Sequence, residues 1–168
     1  MMVYILSKYK FKRLITYIDG NPYTKFTKSH LDDKIITSIA KDGHLSLLIF
    51  MLHSKIETIS QDTINVSALY GHIDIVKYLS FKYPLCLTKS AIAWASIRGN
   101  LDVIMFVEEN TDIGFPQSCM DFASMYGHIE TLKWLNEKYP ETCTRYSLHF
   151  TISNNNIDIV DWLCKKRQ

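Results

Sequence analysis

Apolar residues recur along this chain with a short helical period nested inside a long period of 28 residues. Gly43, Gly71, Gly99, Gly127 and Asn155 each lie 28 residues apart. The neighbouring columns keep step. His44, His72, Asn100, His128 and Asn156 come directly after, then Leu45, Ile73, Leu101, Ile129 and Ile157, then Ser46, Asp74, Asp102, Glu130 and Asp158. Five residues past the glycine stand Leu48, Val76, Ile104, Leu132 and Val160, and seven past it an aromatic ring, Phe50, Tyr78, Phe106, Trp134 and Trp162. Met51, Leu79, Val107, Leu135 and Leu163 come next to the rings. Five copies in register without a gap make this an internal repeat.

Each copy predicts two short helices. Before the glycine, Ile92, Ala95 and Ser96, then Met120, Ala123 and Ser124, fall at i, i+3, i+4, which is one face of a helix. Their small side chains let neighbouring helices approach closely. The glycine ends the first helix, because helices commonly close on a left-handed residue, and Asn is the next best residue there. The acidic residue three positions on then sits in the first turn of the second helix, where it complements the positive end of that helix, and Lys82 and Lys138 lie near the negative end. Pro84 and Pro140 stop the second helix. A unit this short cannot bury its own apolar face, so the copies must stack into a solenoid. The strand pattern of leucine-rich repeats is absent, and the other common helical repeats have longer periods.

Segments such as ALYGHIDIVKYL (Ala68–Leu79) and ASMYGHIETLKWL (Ala123–Leu135) resemble the core of ankyrin repeats, and the resemblance covers Ile35 to Cys164. It implies an all-α, ankyrin-type solenoid of stacked helix-turn-helix repeats. The usual ankyrin unit has about 33 residues and a T-P-L-H start; here the period is 28, and His149 alone matches the tetrad's histidine. The β-hairpin fingers between helix pairs are therefore expected to be short or missing, with a ligand held by helices. This short variant is similar to arrays found in large DNA viruses of amoebae and in some oomycetes. Residues 34–168 then form five copies, and residues 1–33 a degenerate copy or an N-terminal cap of one single domain. In the degenerate alignment Tyr17 and Ile18 take the aromatic and leucine roles, and Asp19-Gly20-Asn21-Pro22 a turn.

Composition changes this picture little. The 168 residues are 47% hydrophobic and 21% charged with net charge +2, values of an ordered globular chain without a strong field for nucleic acid. Basic residues lean to the N-terminus, at Lys8, Lys10, Lys12, Arg13, Lys25 and Lys28, with Lys165, Lys166 and Arg167 at the other end. Such runs are usually solvated faces, yet they keep open a nucleic-acid or acidic-surface binder as the alternative. Cys86, Cys119, Cys143 and Cys164 include no CxxC pair and predict reduced thiols, mostly packing as small apolar side chains. The apolar start Met1–Leu6 is too short for a signal sequence, and no segment approaches the roughly 20 apolar residues of a membrane span. Leu45–Leu52 suits a buried helix. The expected location is intracellular, in the cytoplasm (the host's, for a viral chain). Asn65-Val66-Ser67 is then an unused glycosylation acceptor.

Three features invite a site. The histidine column cannot hold shared metal, because stacked helices lie about 8–10 Å apart while Zn–N bonds are about 2.0–2.1 Å. Resemblance gives these histidines a structural role, tying the turn between the two helices. The aromatic column shares its helix with leucine and valine columns and predicts half-buried packing rather than base stacking. The pair just before the glycine differs: Lys41-Asp42, Leu69-Tyr70, Ile97-Arg98, Met125-Tyr126 and Ser153-Asn154. In ankyrin repeats this pair resembles the variable helix end that faces the concave groove. The outer copies are polar and the central three apolar, aromatic or arginine. A patch of that kind, with Tyr and Arg, suits a protein interface; Leu69, Ile97 and Met125 fit packing against the next copy equally well. Candidate partner-binding residues are therefore Leu69, Tyr70, Ile97, Arg98, Met125 and Tyr126. No catalytic, metal or cofactor motif occurs: there is no G-x-S-x-G, H-E-x-x-H or phosphate loop, and Asp32-Asp33 and Glu108-Glu109 predict solvated pairs. The expectation is a monomeric, non-enzymatic module that binds a protein partner, with a structural spacer or decoy as a further alternative.

Overall fold

The computed structural model describes residues 28–53, 59–140 and 145–166. Among them all regular structure is helical and there is no strand. It divides into two units, Met1–Ile35 and Ile36–Gln168. The second unit is a series of helix pairs. α1 (Lys28–Lys41), which crosses the boundary, precedes α2 (Leu45–His53); α3 (Gln61–Leu69) precedes α4 (Ile73–Lys82), and α5 (Lys89–Arg98) precedes α6 (Leu101–Asn110). α7 (Ser118–Tyr126) with α8 (Ile129–Lys138), and α9 (Arg145–Ser153) with α10 (Ile157–Lys166), complete the series.

Within each pair the turn has one geometry. Gly43, Gly71, Gly99 and Gly127 adopt φ of 77°, 75°, 69° and 82°, and Asn155 adopts 57°. This left-handed region strains any residue with a Cβ and is tolerated best after glycine by Asn. The N–H of the next residue reaches back five positions to a helix carbonyl, as in His72 to Ser67 (2.9 Å), Asn100 to Ala95 (3.0 Å) and His128 to Ala123 (2.9 Å). These bonds satisfy carbonyls that the helix end would otherwise leave without a donor. The second helix starts two residues later with Asp74, Asp102, Glu130 or Asp158 in its first turn, and Lys82 and Lys138 close α4 and α8.

First helices pack on first helices in chain order, α3 on α5, α5 on α7 and α7 on α9, while each also packs on its own second helix. The contact faces are small and fully buried: Ala68, Ala91, Ala95, Ser96, Ala123 and Ser124. Their buried hydroxyls are satisfied inside the helix, Ser67 donating to the Thr63 carbonyl, Ser96 to Ile92 and Ser124 to Met120, so close approach leaves no stranded donor. Larger chains fill the space between the two helix rows: Ile36, Ile39, Leu48, Ile64, Ile75, Leu79, Ile92, Ile104, Met120, Leu132 and Leu135 are all fully buried. Leu47, Leu48, Met51 and Leu52 of the densest apolar run are buried in α2.

The two connectors that are described in full, residues 83–88 and 111–117, are short and irregular. Residues 83–88 hold one 3-10 turn, Pro84–Cys86, which Pro84 opens where it cannot continue α4. Residues 111–117 are pinned by the Phe115 ring, which packs on Trp134 (5.8 Å between centroids) and Tyr139 (4.8 Å). Tyr17, Ile18 and the 19–22 turn lie outside the described residues.

Candidate functional site

The histidine column does not tie its own turn. From His72 onward each side chain reaches back to the preceding copy. His72 Nε2 donates to the Lys41 carbonyl (2.8 Å) and His128 Nε2 to Ile97 (2.9 Å). Where Asn replaces His, one amide nitrogen serves two carbonyls: Asn100 bonds Ala68 and Leu69 (2.7 and 2.8 Å), and Asn156 bonds Ser124 and Met125 (2.9 and 3.1 Å). The carbonyl two residues before the glycine is an acceptor in every case. These are helix-end carbonyls, and a neighbouring copy supplies their donors. The glycine makes room for that side chain as well as the turn. A Cβ on Gly43 would stand 2.6 Å from the His72 ring, and one on Gly99 would stand 2.6 Å from that of His128. On Gly71 and Gly127 it would stand 2.9 and 3.0 Å from Asn100 and Asn156. The column is structural and directional, and its donors are occupied.

The residues just before the glycine are more open. Of the six candidate residues, Tyr70 (38% exposed), Tyr126 (52%) and Arg98 reach solvent, while Leu69, Ile97 and Met125 are half-buried. Two of them meet directly: the Arg98 guanidinium lies 5.2 Å from the Tyr70 ring centroid. Lys41 Nζ lies 5.4 Å from the same ring, and the His72 ring stacks on it nearly parallel at 6.5 Å. Tyr70 is thereby held by the clamp of its own copy and flanked by cations from the copies on either side, contacts individually modest at an exposed site.

Sequence reasoning missed part of this face. Four residues before Tyr70, Arg98 and Tyr126 stand Val66, Trp94 and Phe122, one turn away on the same side of the helix, and Phe150 continues the column. Trp94 is 36% exposed; Val66, Phe122 and Phe150 are half-buried. The signal was present as a second aromatic column at the same spacing, overshadowed by the one on the second helices. With Leu69, Ile97 and Met125 between the two rows, the face is an apolar and aromatic strip with its described cations at the α1–α5 end.

The aromatic column of the second helices behaves differently. Tyr78, Phe106, Trp134 and Trp162 are half-buried, and Phe50 is 39% exposed. Lysines lie over three of the rings: Lys82 over Tyr78, Lys77 over Phe106 and Lys138 over Trp134. Between α4 and α6 opens a groove of about 670 Å³ lined by Lys77, Phe81, Pro84, Leu87, Phe106 and Ile113. Phe81 and Leu85 beside it are almost fully exposed.

Among the described residues no three His, Cys, Asp or Glu side chains are grouped to hold a metal ion, and no helix is long and apolar enough to cross a membrane. Cys119 is buried in α7, and burial pushes its thiol up to about 11. Cys86 is half-buried. Cys164 is exposed, so the expectation that the thiols mostly pack as apolar side chains fails there. Cys143 lies outside the described residues, as do Lys8, Lys10, Lys12, Arg13, Lys25 and Arg167. Asn65 is buried within α3, so the fold itself withholds that glycosylation acceptor. No protein-family model matches the chain, and no curated protein matches it.

Proposed function

We propose that this chain is an ankyrin-type solenoid with truncated fingers that binds a protein partner through the strip formed by Leu69, Tyr70, Ile97, Arg98, Met125 and Tyr126, extended by Trp94 and Phe122. The observation that carries the reading is the contrast along one helix. The turn residues have their donors consumed by the neighbouring copy, whereas Tyr70, Arg98 and Tyr126 stand in solvent beside a continuous apolar strip. Contiguous exposed apolar surface of this kind marks interaction sites, and Tyr, Trp and Arg are the residues that most often dominate binding energy. Stacked copies order the strip before any partner arrives, which lowers the entropic cost of association. In an ankyrin-type solenoid this is the concave side. The reading assigns no catalysis and no cofactor, and takes the chain to act inside the cell as a monomer.

The test is affinity capture with wild type, with a Tyr70→Ala, Arg98→Ala, Tyr126→Ala triple variant, and with a Phe81→Ser, Leu85→Ser variant on the groove side. A protein held by wild type and by the groove variant, but lost by the triple variant, supports the strip. Loss with the groove variant alone moves the interface to the second helices. Identical capture by all three leaves the spacer as the better reading.

A further inference from the structure

Resting on that reading of the strip, we infer that its partner is an acidic–apolar peptide segment, with a carboxylate paired to the Lys41 and Arg98 cations that flank the Tyr70 ring. Unmet charge points to this occupant. Lys41 and Arg98 belong to copies on either side of Tyr70 and stand 5.4 and 5.2 Å from its ring centroid. Among the described residues neither has a carboxylate within ion-pairing distance, and the two ion pairs found, Lys133–Glu130 and Lys138–Glu108, lie on second helices. Asp42 occupies the column of Tyr70 one copy earlier, yet it pairs with neither cation. Asp62 stands at the other end of α3, eight residues from Tyr70 and so about 12 Å along the helix. A ring face attracts cations only weakly compared with a carboxylate. The Lys41–Arg98 pair flanking Tyr70 is therefore the seat offered to a carboxylate. On the α5–α7 side of that seat lie Trp94, Ile97, Phe122 and Met125, with no charged side chain among them. A ligand that fits both parts carries an Asp or Glu with large apolar side chains after it. A nucleic-acid strand would put one phosphate on the seat and the next ones over that apolar run, where no cation receives them.

Random-peptide phage display on the full chain tests this, with fluorescence anisotropy of synthetic copies of the enriched peptides. Enriched sequences are expected to place Asp or Glu beside large apolar residues. A Lys41→Met, Arg98→Met double variant, with a melt matching wild type, is expected to bind them at least about tenfold more weakly. Enrichment of purely apolar peptides, bound equally by the double variant, overturns the carboxylate seat while leaving the strip as a docking face. No enrichment, or binding that survives Trp94→Ala and Phe122→Ala, overturns the strip and the seat together. An oligothymidylate that binds more tightly than any peptide, and is released steeply by salt, overturns the peptide and assigns the seat to phosphate instead.

Discussion

The turn and the solvent-exposed edge of the first helices are built from residues only one to three positions apart, yet the repeat treats them in opposite ways. At the turn, Gly71, Gly99 and Gly127 recur with a His or Asn that always seeks the same carbonyl one copy back. Immediately before the glycine, the column runs Asp42, Tyr70, Arg98, Tyr126, Asn154. The difference stems from where the side chains end. One set terminates inside the neighbouring copy, where volume and hydrogen-bonding partner are both dictated. The other terminates in solvent, where neither is. In a stacked array, uniform columns therefore mark copy-to-copy contacts and varied columns mark what is offered to other molecules.

The largest effect that can break this contrast comes from Gly99→Ala. A left-handed residue with a Cβ costs about 1–2 kcal/mol, and forcing that Cβ against the His128 ring about 1–3 more, so about 2–5 kcal/mol of stability is expected to be lost in urea unfolding. A change no larger than that of an ordinary surface substitution, about ±0.5 kcal/mol, would refute the slot. His128→Ala comes next: it strands the Ile97 carbonyl and is expected to cost about 1–3 kcal/mol. His128→Asn sharpens the point, because Asn already serves at two positions of the column; it is expected to recover most of that loss. Equal losses for Ala and Asn would mean that the ring's packing, and not its hydrogen bond, matters. On the solvent-exposed edge, Tyr70→Ala, Arg98→Ala and Tyr126→Ala together are expected to change stability by no more than about 1–2 kcal/mol, roughly the two exposed cation–π contacts plus surface noise. A collapse of the helical melt would make these residues part of the packing.

The smallest effect concerns the thiols. Burial raises Cys119 from an ordinary 9.0 to about 11, so its thiolate is scarce in the folded chain. The folded state keeps this proton more tightly, so that contribution to stability is whole below pH 9 and lost as pH rises towards 11. Mass-mapped alkylation at pH 8 is expected to label exposed Cys164 well before Cys119, and equal rates would place Cys119 outside the α5–α7 packing.

Much of the helical framework was legible because its rules are local. A glycine at the end of a period-3.6 stripe and an acidic residue three positions on act within a few residues, and the turns stand where those signals do; the proline signal marks the ends only of Ile73–Lys82 and Ile129–Lys138. The direction of the His and Asn side chains was not legible. Whether they bond their own turn or the copy before depends on how closely the first helices stack, which is set by Ala91, Ala95, Ala123 and Ser124 acting across copies. Tyr70, Arg98 and Tyr126 were legible as exposed only through the resemblance to ankyrin repeats, which puts the pair before the glycine at a variable helix end. Trp94 and Phe122 could not be separated from core rings by type alone, because Trp134 and Phe106 are equally aromatic and half-covered. Only the phase relative to the glycine tells the two columns apart: five residues before it for Trp94 and Phe122, seven after it for Phe106 and Trp134.

The backward reach of each His or Asn gives the array a growth direction. A copy is completed by whatever is added after it, since the newcomer brings the donor for the helix end already in place, and glycine leaves the space for that donor. Asn155 makes the same left-handed turn but carries a side chain where Gly127 carries none. Any copy that packs after α10 in the same register meets the Asn155 side chain where its predecessors meet a glycine, so Asn155→Gly is the substitution that would open the same slot there.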